Sequence, residues 1–456
     1  MLFVILSCIV MYIGSKNFKN GFLMYLLLQM IWFPDTQLFK LGGSYINLNF
    51  IVALYFTILY IVKRKNSLKT FYDFPYLIPL ALVSISMLLT SITSLSGFFS
   101  EFLKACGLII MDCSMIFIIW KTVKTKDDFK FLFKGLTIII LVACIYIFIE
   151  YFTSRNLFLD YKLSCTSNNL ATYTDLLIYD YGRGYRCYSI FEHPIGASMI
   201  FALYIIVVFN LLMKFDDFAF KKVSIITAVL CLPAILMTKQ RAGIFFLFFG
   251  LFSALNFKNK KTYRYLLYSV GVLILLSPII FQYKDLILSM FHLKTNSNVS
   301  GSTASMRFDQ LDAVFNIMKS SPLLGLGENF RSHYTGPYLE RALGFESLWF
   351  EQMAKHGILG VMAYLYFIYI SVVKIPLKFK SRESFFIMLS YWITYSLTST
   401  PYFRIYFLYV VVFYFLRYQR INSHSEMNIM GKIYAEMHLK IKKIESKIKN
   451  LKIFQK

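Results

Sequence analysis

The sequence predicts an all-α fold, a polytopic bundle of roughly 12 to 13 membrane-spanning helices. Three observations carry this prediction. Of 456 residues, 57% are hydrophobic and the mean hydropathy is +0.58, well above the range of soluble globular domains. Apolar runs of about 20 residues, enough to cross hydrocarbon at about 1.5 Å per residue, recur from residue 1 to about residue 416. Short basic clusters separate these runs. Strand-type alternation is absent, and backbone groups in lipid must be satisfied within each segment, so continuous apolar runs imply helices and not a barrel.

Along the chain, the opening run MLFVILSCIV has no basic flank and no small-residue cleavage site, so it is expected to be a retained first span and not a signal peptide. Basic residues follow at Lys16 and Lys19, in KRKNSLK (63–69), KTVKTKDDFK (121–130), KFDDFAFKK (214–222), KNKKTYR (258–264) and KFKSRE (378–383), and after Arg417. Their place in short loops and the tail accounts for the +24 net charge and argues against a nucleic-acid face. Positive residues stay on the cytoplasmic side. An even number of crossings between successive clusters then puts the N-terminus outside and the C-terminus inside. The expected organisation is a transmembrane domain over 1–416, with outer loops at 152–190 and 282–346 and an interfacial helix at 346–356. A basic cytoplasmic tail follows at 417–456. In that tail Ile433, Met437, Ile441, Ile444, Ile448 and Leu451 share one side, with lysines opposite, a pattern suited to an anionic leaflet.

Seven cysteines show no metal-ligand spacing. Cys8, Cys106, Cys113, Cys144 and Cys231 fall within spans and act there as small apolar residues. Cys165 and Cys187 share an outer loop whose oxidising surroundings would permit a disulfide; spacing alone does not establish one.

MTKQRAGIFFLFFG (237–250) breaks the charge rule, since it sets Lys239 and Arg241 in a tight outward turn between two apolar runs. Arg183, Arg186, Arg307, Arg331, Arg341 and Arg404 are outward as well. Such cations either snorkel to headgroups or hold an anion at the outer surface, where the planar guanidinium fork favours phosphate. Glu101 and Lys104, three apart near a span end, are read as a local pair. Phe308, Leu311, Phe315 and Met318 recur at helical spacing, a face for packing on the membrane side of the long loop.

Three patches together resemble the bacterial O-antigen ligase and polymerase family. They are GRGYRCYSIFEHPIGAS (182–198), MTKQRAGIF (237–245), and the pair MRFDQLDAVFNIMKSSPLLGLGENF (306–330) and ESLWFEQMAKHGILGVMAYL (346–365). The resemblance covers roughly residues 180–400; the earlier spans match only as hydropathy. It implies a GT-C-like membrane glycosyltransferase of the bacterial plasma membrane, with its active site facing outward. The implied enzyme needs no metal or other cofactor and acts on oligosaccharide linked to undecaprenyl pyrophosphate. Ligases of the family carry a histidine eleven residues before the glycine that opens the next span. Counting back from Gly357 reaches Glu346. Glutamate, like histidine, serves as a general base when within reach of a hydroxyl. The departure favours a polymerase of repeat units for a capsular or O-antigen type polysaccharide over a ligase that moves finished glycan to a terminal acceptor.

On that reading Glu346 is the base, Arg186 and Arg241 hold the pyrophosphate, and Arg183 and Lys239 assist. Arg307, Gly325, Gly327, His193 and Arg404 are supporting candidates. Glu346 alternatively only favours a helix N-terminus, Gly325 and Gly327 alternatively only turn the chain, and His193, before Pro194 at a span entrance, suits a structural role. Trp349, Phe350 and Met353 alternate with Glu351 and Lys355, which reads as an amphipathic segment. His356 lies about 15 Å of helical rise from Glu346, too far to share its chemistry. Expected partners are the lipid-linked oligosaccharide and membrane lipids, with a chain-length regulator and a flippase as further candidates, and no nucleic acid. A flippase for lipid-linked sugars is the rival outside enzymes; no internal repeat supports it.

Overall fold

The computed structural model describes residues 2–31, 37–41, 44–63, 73–158, 179–180, 184–191, 193–215, 218, 220–255, 304–335, 345–397 and 406–418, with isolated positions between 262 and 277. Arg183, Arg341, Arg404, Cys165 and the tail beyond 418 lie outside these residues.

The described residues are helical almost throughout. Helices α1 (Leu2–Lys16), α2 (Phe18–Leu28) and α3 (Leu48–Lys63) open it, with a short hairpin of β1 (Gln37–Leu41) and β2 (Ser44–Asn47) before α3. Then come α4 (Leu77–Thr90), α5 (Phe98–Thr122) and α6 (Lys126–Thr153). A two-residue ladder, β3 (Tyr179–Asp180) with β4 (Gly184–Tyr185), precedes α7 (Pro194–Lys214), α8 (Lys221–Met237) and α9 (Arg241–Leu251). After α10 (Ala304–Met318) and the single turn α11 (Phe330–His333) the chain enters α12 (Leu348–Lys378), α13 (Arg382–Leu397) and α14 (Tyr406–Tyr418). Four of these, α5, α6, α7 and α12, are long and apolar enough to cross a membrane, and six shorter apolar helices accompany them among the described residues.

Helix ends are set by local chemistry. Thr125 and Asp128 form a reciprocal capping box at the start of α6. Pro194 begins α7 with its missing N–H where no partner is needed. The core is aromatic: Phe129 stacks on Tyr414 at 3.8 Å, and Trp120 meets Phe413 edge-on at 4.9 Å. Helices α7 and α9 approach closely because Gly243 lies against Ser198, where an added Cβ would sit 2.6 Å from the serine Cβ.

The helix ends sort by charge. One end gathers Lys19 with Asp128 (2.5 Å), Lys214 with Glu383 (2.9 Å), Lys63 on the Ser15 carbonyl (2.8 Å), and Arg417 on the carbonyls of Trp120 and Val123. There α1, α3, α7 and α14 finish and α6 and α13 start. The opposite end carries the turns at 185–193, 238–240 and 345–347.

Two expectations need correction. Glu101 and Lys104 do not pair with each other; Glu101 accepts the Ser94 and Ser96 hydroxyls (3.1 Å each) and Lys104 donates to Asn329. On α10 the side turned to the protein is Gln310, Ala313, Val314, Ile317 and Met318, so of the expected face Met318 packs inward while Phe308 and Phe315 are exposed.

Candidate active site

Helix α8 ends at Met237 and α9 begins only four residues later at Arg241. The reversal is made by Lys239 in the left-handed region (φ 52°) and by Thr238, whose hydroxyl donates to the Ile235 carbonyl (2.7 Å) and accepts from the Gln240 N–H (3.3 Å). No side chain caps α9, and its first residue is a cation. That arrangement opposes the usual preference for negative charge at a helix N-terminus, an effect of about 0.3–1 kcal/mol. Burial lowers the Lys239 pKa; the Cys187 thiol partly opposes this and the Arg186 charge adds to it.

Arg186 reaches this turn through the backbone, since the Cys187 N–H donates to the Met237 carbonyl (3.3 Å). Glu150, fully buried near the end of α6, holds the loop on both sides of Arg186. It accepts from the Tyr185 hydroxyl (3.0 Å), the Tyr188 N–H (3.3 Å) and the Ser189 N–H (2.7 Å). The Ser189 hydroxyl in turn donates to the Ala143 carbonyl (2.7 Å), and Asn156 donates to the Ser189 carbonyl (2.8 Å). Sequence reasoning missed Glu150, which reads there as one acid at the end of an apolar run. Cys187 is a buried free thiol, its pKa raised by burial and by Glu150. His193 caps α7, its Nδ1 accepting from the Ile195 N–H (3.1 Å).

Glu346 comes to the same end of the molecule by way of α13. Helices α9 and α13 run antiparallel: Arg382 donates to the Phe252 carbonyl (3.2 Å), while further along Phe246 meets Tyr391 (6.3 Å). The start of α9, with Arg241, therefore lies toward the end of α13, with Ser396 and Leu397. At that end Ser347 donates to the Ser396 carbonyl (2.9 Å) and Arg307 to the Leu397 carbonyl (2.6 Å). The Arg307 guanidinium is 3.9 Å from the Glu346 carboxylate. The Glu346 N–H donates to the buried Gln310 amide oxygen (3.3 Å), and Ser347 caps α12 by accepting from the Trp349 N–H (3.3 Å). Its backbone is thus anchored on both sides while the side chain remains 40% exposed.

Behind Glu346, α12 is broken at Gly357 (φ 62°, ψ −160°). Residues 321–327 thread the break. The Leu326 and Gly327 N–H groups donate to the carbonyls of Ala354 (2.9 Å) and Lys355 (3.0 Å), and the Ile358 and Leu359 N–H groups donate to those of Pro322 (3.0 Å) and Leu323 (3.1 Å). The loop thereby satisfies orphan groups on both sides of the interruption. A side chain at Gly357 would sit 2.5 Å from the Leu323 oxygen, and Gly325 backs directly on the Lys355 carbonyl. These glycines make backbone meet backbone. Gly327 lies against Ser94 and Glu101.

A buried ion network fills the space beneath. Glu328 receives His356 Nε2 (2.9 Å) and Lys355 Nζ (2.7 Å); Lys355 also holds Glu351 (2.7 Å), which Arg331 approaches at 3.5 Å. His356 Nδ1 is hydrogen bonded to Thr90 (3.1 Å), and the Glu328 N–H donates to Glu101. Burial would raise the Glu328 carboxyl, but Lys355, then His356 and Lys104, outweigh it and hold it well below the ordinary carboxylate range. Glu351 and Lys355 are therefore not an outward polar face of an amphipathic segment; paired, they point inward.

The fold thus brings Arg186, Lys239, Arg241, Arg307 and Glu346 to one end of the bundle. Gly325 and Gly327 stand behind Glu346 in the threaded loop, and His193 lies at the foot of α7. Among the described residues no group of three or more His, Cys, Asp or Glu side chains is placed to hold a metal ion. No curated protein matches the chain. Residues 226–365 match the family model described as O-antigen ligase, a segment that contains Lys239, Arg241, Arg307, the threaded loop and Glu346. Over that segment the chain is similar to the O-antigen ligase family, and its multi-helix architecture, with four helices long and apolar enough to cross a membrane, agrees with that likeness.

Proposed function

We propose that the protein polymerises undecaprenyl-pyrophosphate-linked oligosaccharide repeat units at the outer face of the bacterial plasma membrane, building a capsular or O-antigen type polysaccharide. The observation that carries this reading is the antiparallel packing of α9 on α13, which sets the Arg241 end of one beside the Arg307 and Glu346 end of the other.

In the reaction an acceptor sugar hydroxyl forms a bond to the anomeric carbon of the donor as the bond from that carbon to the pyrophosphate oxygen breaks. The hydroxyl proton passes to Glu346, and the electron pair leaves on undecaprenyl pyrophosphate. Arg186 and Arg241, assisted by Lys239, receive the diphosphate. A positioned base contributes about 10²–10⁴-fold, and loss of one preorganised charge-stabilising donor costs about 10²–10³-fold in turnover. Arg307 orients the Glu346 carboxylate. The depressed Lys239 pKa fits this role, because an arriving anion offsets both its burial and its repulsion by Arg186.

The test supplies purified protein with lipid-linked repeat units and resolves products by size. A ladder of polymers is expected, lost in Glu346→Gln with donor binding retained, and weakened in Arg241→Ala through donor affinity. A single transfer to a terminal acceptor with no ladder would make the protein a ligase, and a full ladder from Glu346→Gln would remove Glu346 from the chemistry.

A further inference from the structure

At the end of the bundle opposite Glu346, a cavity of about 650 Å³ opens between the start of α6 and the start of α8. Four lysines line it, Lys130 and Lys134 from α6 and Lys221 and Lys222 from α8, with Phe218 and Phe220 between them; Lys130 also stands 3.5 Å from the exposed Asp127 carboxylate, a pair that solvent screens. The Lys134 ammonium stands 5.2 Å from the centre of the Phe220 ring. Sharing Lys130 and Phe218 with this cavity is a narrower slot of about 190 Å³ lined by Phe129, Phe133, Leu211, Phe215 and Tyr414.

Two local features run against ordinary preference. Helix α8 starts with two lysines, has no acidic residue in its first turn and has no side-chain cap, so cations crowd the positive end of the helix dipole. Phe220 before it adopts a left-handed backbone (φ 61°), costly for a bulky residue. That conformation places its ring beneath Lys134. The cavity also stands at a suitable depth. With 28 residues α6 is about 42 Å long against about 30 Å of hydrocarbon, so its first turns reach the headgroup layer.

We propose that this cavity binds the phosphate of an anionic lipid headgroup, the lysines facing the phosphate and the aromatic slot taking the adjoining apolar part of the lipid. The charged cavity alone would serve a free phosphate equally well; the slot beside it selects an amphiphile. The inference does not depend on the polymerase reading.

The test is native mass spectrometry of the full chain in neutral detergent, titrated with phosphatidylglycerol or with phosphatidylcholine. Wild-type protein should retain phosphatidylglycerol with about tenfold or greater preference. The combined variant Lys130→Gln, Lys134→Gln, Lys221→Gln, Lys222→Gln should lose that preference, and the four Lys→Arg replacements should keep it. A charge-matched control at the same end, Lys16→Gln, Lys374→Gln, Lys378→Gln, Lys380→Gln, should bind as wild type. Three results would overturn the proposal: unchanged retention by the cavity variant, equal loss in the control, or displacement of the lipid by millimolar inorganic phosphate, which would mark a free-phosphate site.

Discussion

Glu150 offers the sharpest test of how the arginine loop is held. Its carboxylate takes one phenol and two backbone N–H donors around Arg186 from a fully buried position. A hydrogen bond contributes a net of about 0.5–1.5 kcal/mol, and a buried donor left unpaired costs about 1–3 kcal/mol. Glu150→Gln keeps one acceptor oxygen and turns an amide NH₂ toward groups that themselves donate, a local loss of about 2–4 kcal/mol. Asn156, Ala143 and Met237 still tie the loop, so only part of this reaches Arg186. If about 1.4 kcal/mol does, donor affinity falls about tenfold. Equilibrium binding of the lipid-linked donor to purified variant measures it, with circular dichroism to verify that the helices persist. Donor affinity within about twofold of wild type, alongside a clear loss in Arg186→Ala, would refute the tether as a positioning device.

Gly357→Ala should lower the melting temperature, since the added methyl meets the Leu323 oxygen and the break's positive φ with extended ψ is almost confined to glycine; a cost of about 1–3 kcal/mol is expected. Glu328 should make stability fall in acid. Its folded pKa lies below its ordinary value of 4.5, so its contribution is complete above 4.5 and is lost as pH drops through that value toward the folded one. Thermal unfolding from neutral pH downward should show this slope in wild type, and Glu328→Gln should flatten it.

Much of the architecture is legible from residues alone because hydropathy and loop charge are local properties. The turn at 238–240 and the start of a helix just after Glu346 are of this kind: each is signalled by residues a few positions apart. Glu150 was not legible, because its three partners lie 35 to 39 positions away and nothing near it in the chain marks it as an acceptor. The threaded loop escaped for a similar reason. Its glycines look like those of any turn, and only contact with α12, some thirty residues on, shows that they let two backbones meet. Glu351 and Lys355 misled because alternation with apolar residues suggests a wetted face, whereas a paired set of charges can be buried.

By itself, the amino-acid order determined that this protein is a helical membrane protein with basic loops and outlying arginines, since the cost of placing apolar and charged groups is set residue by residue. Tertiary structure decided which cations gather at one end of the bundle, that Glu346 is anchored by Gln310 and Ser347, and that a charge network supports the broken helix behind it. Those outcomes depend on which helices lie side by side, a choice made by packing between segments far apart in the chain.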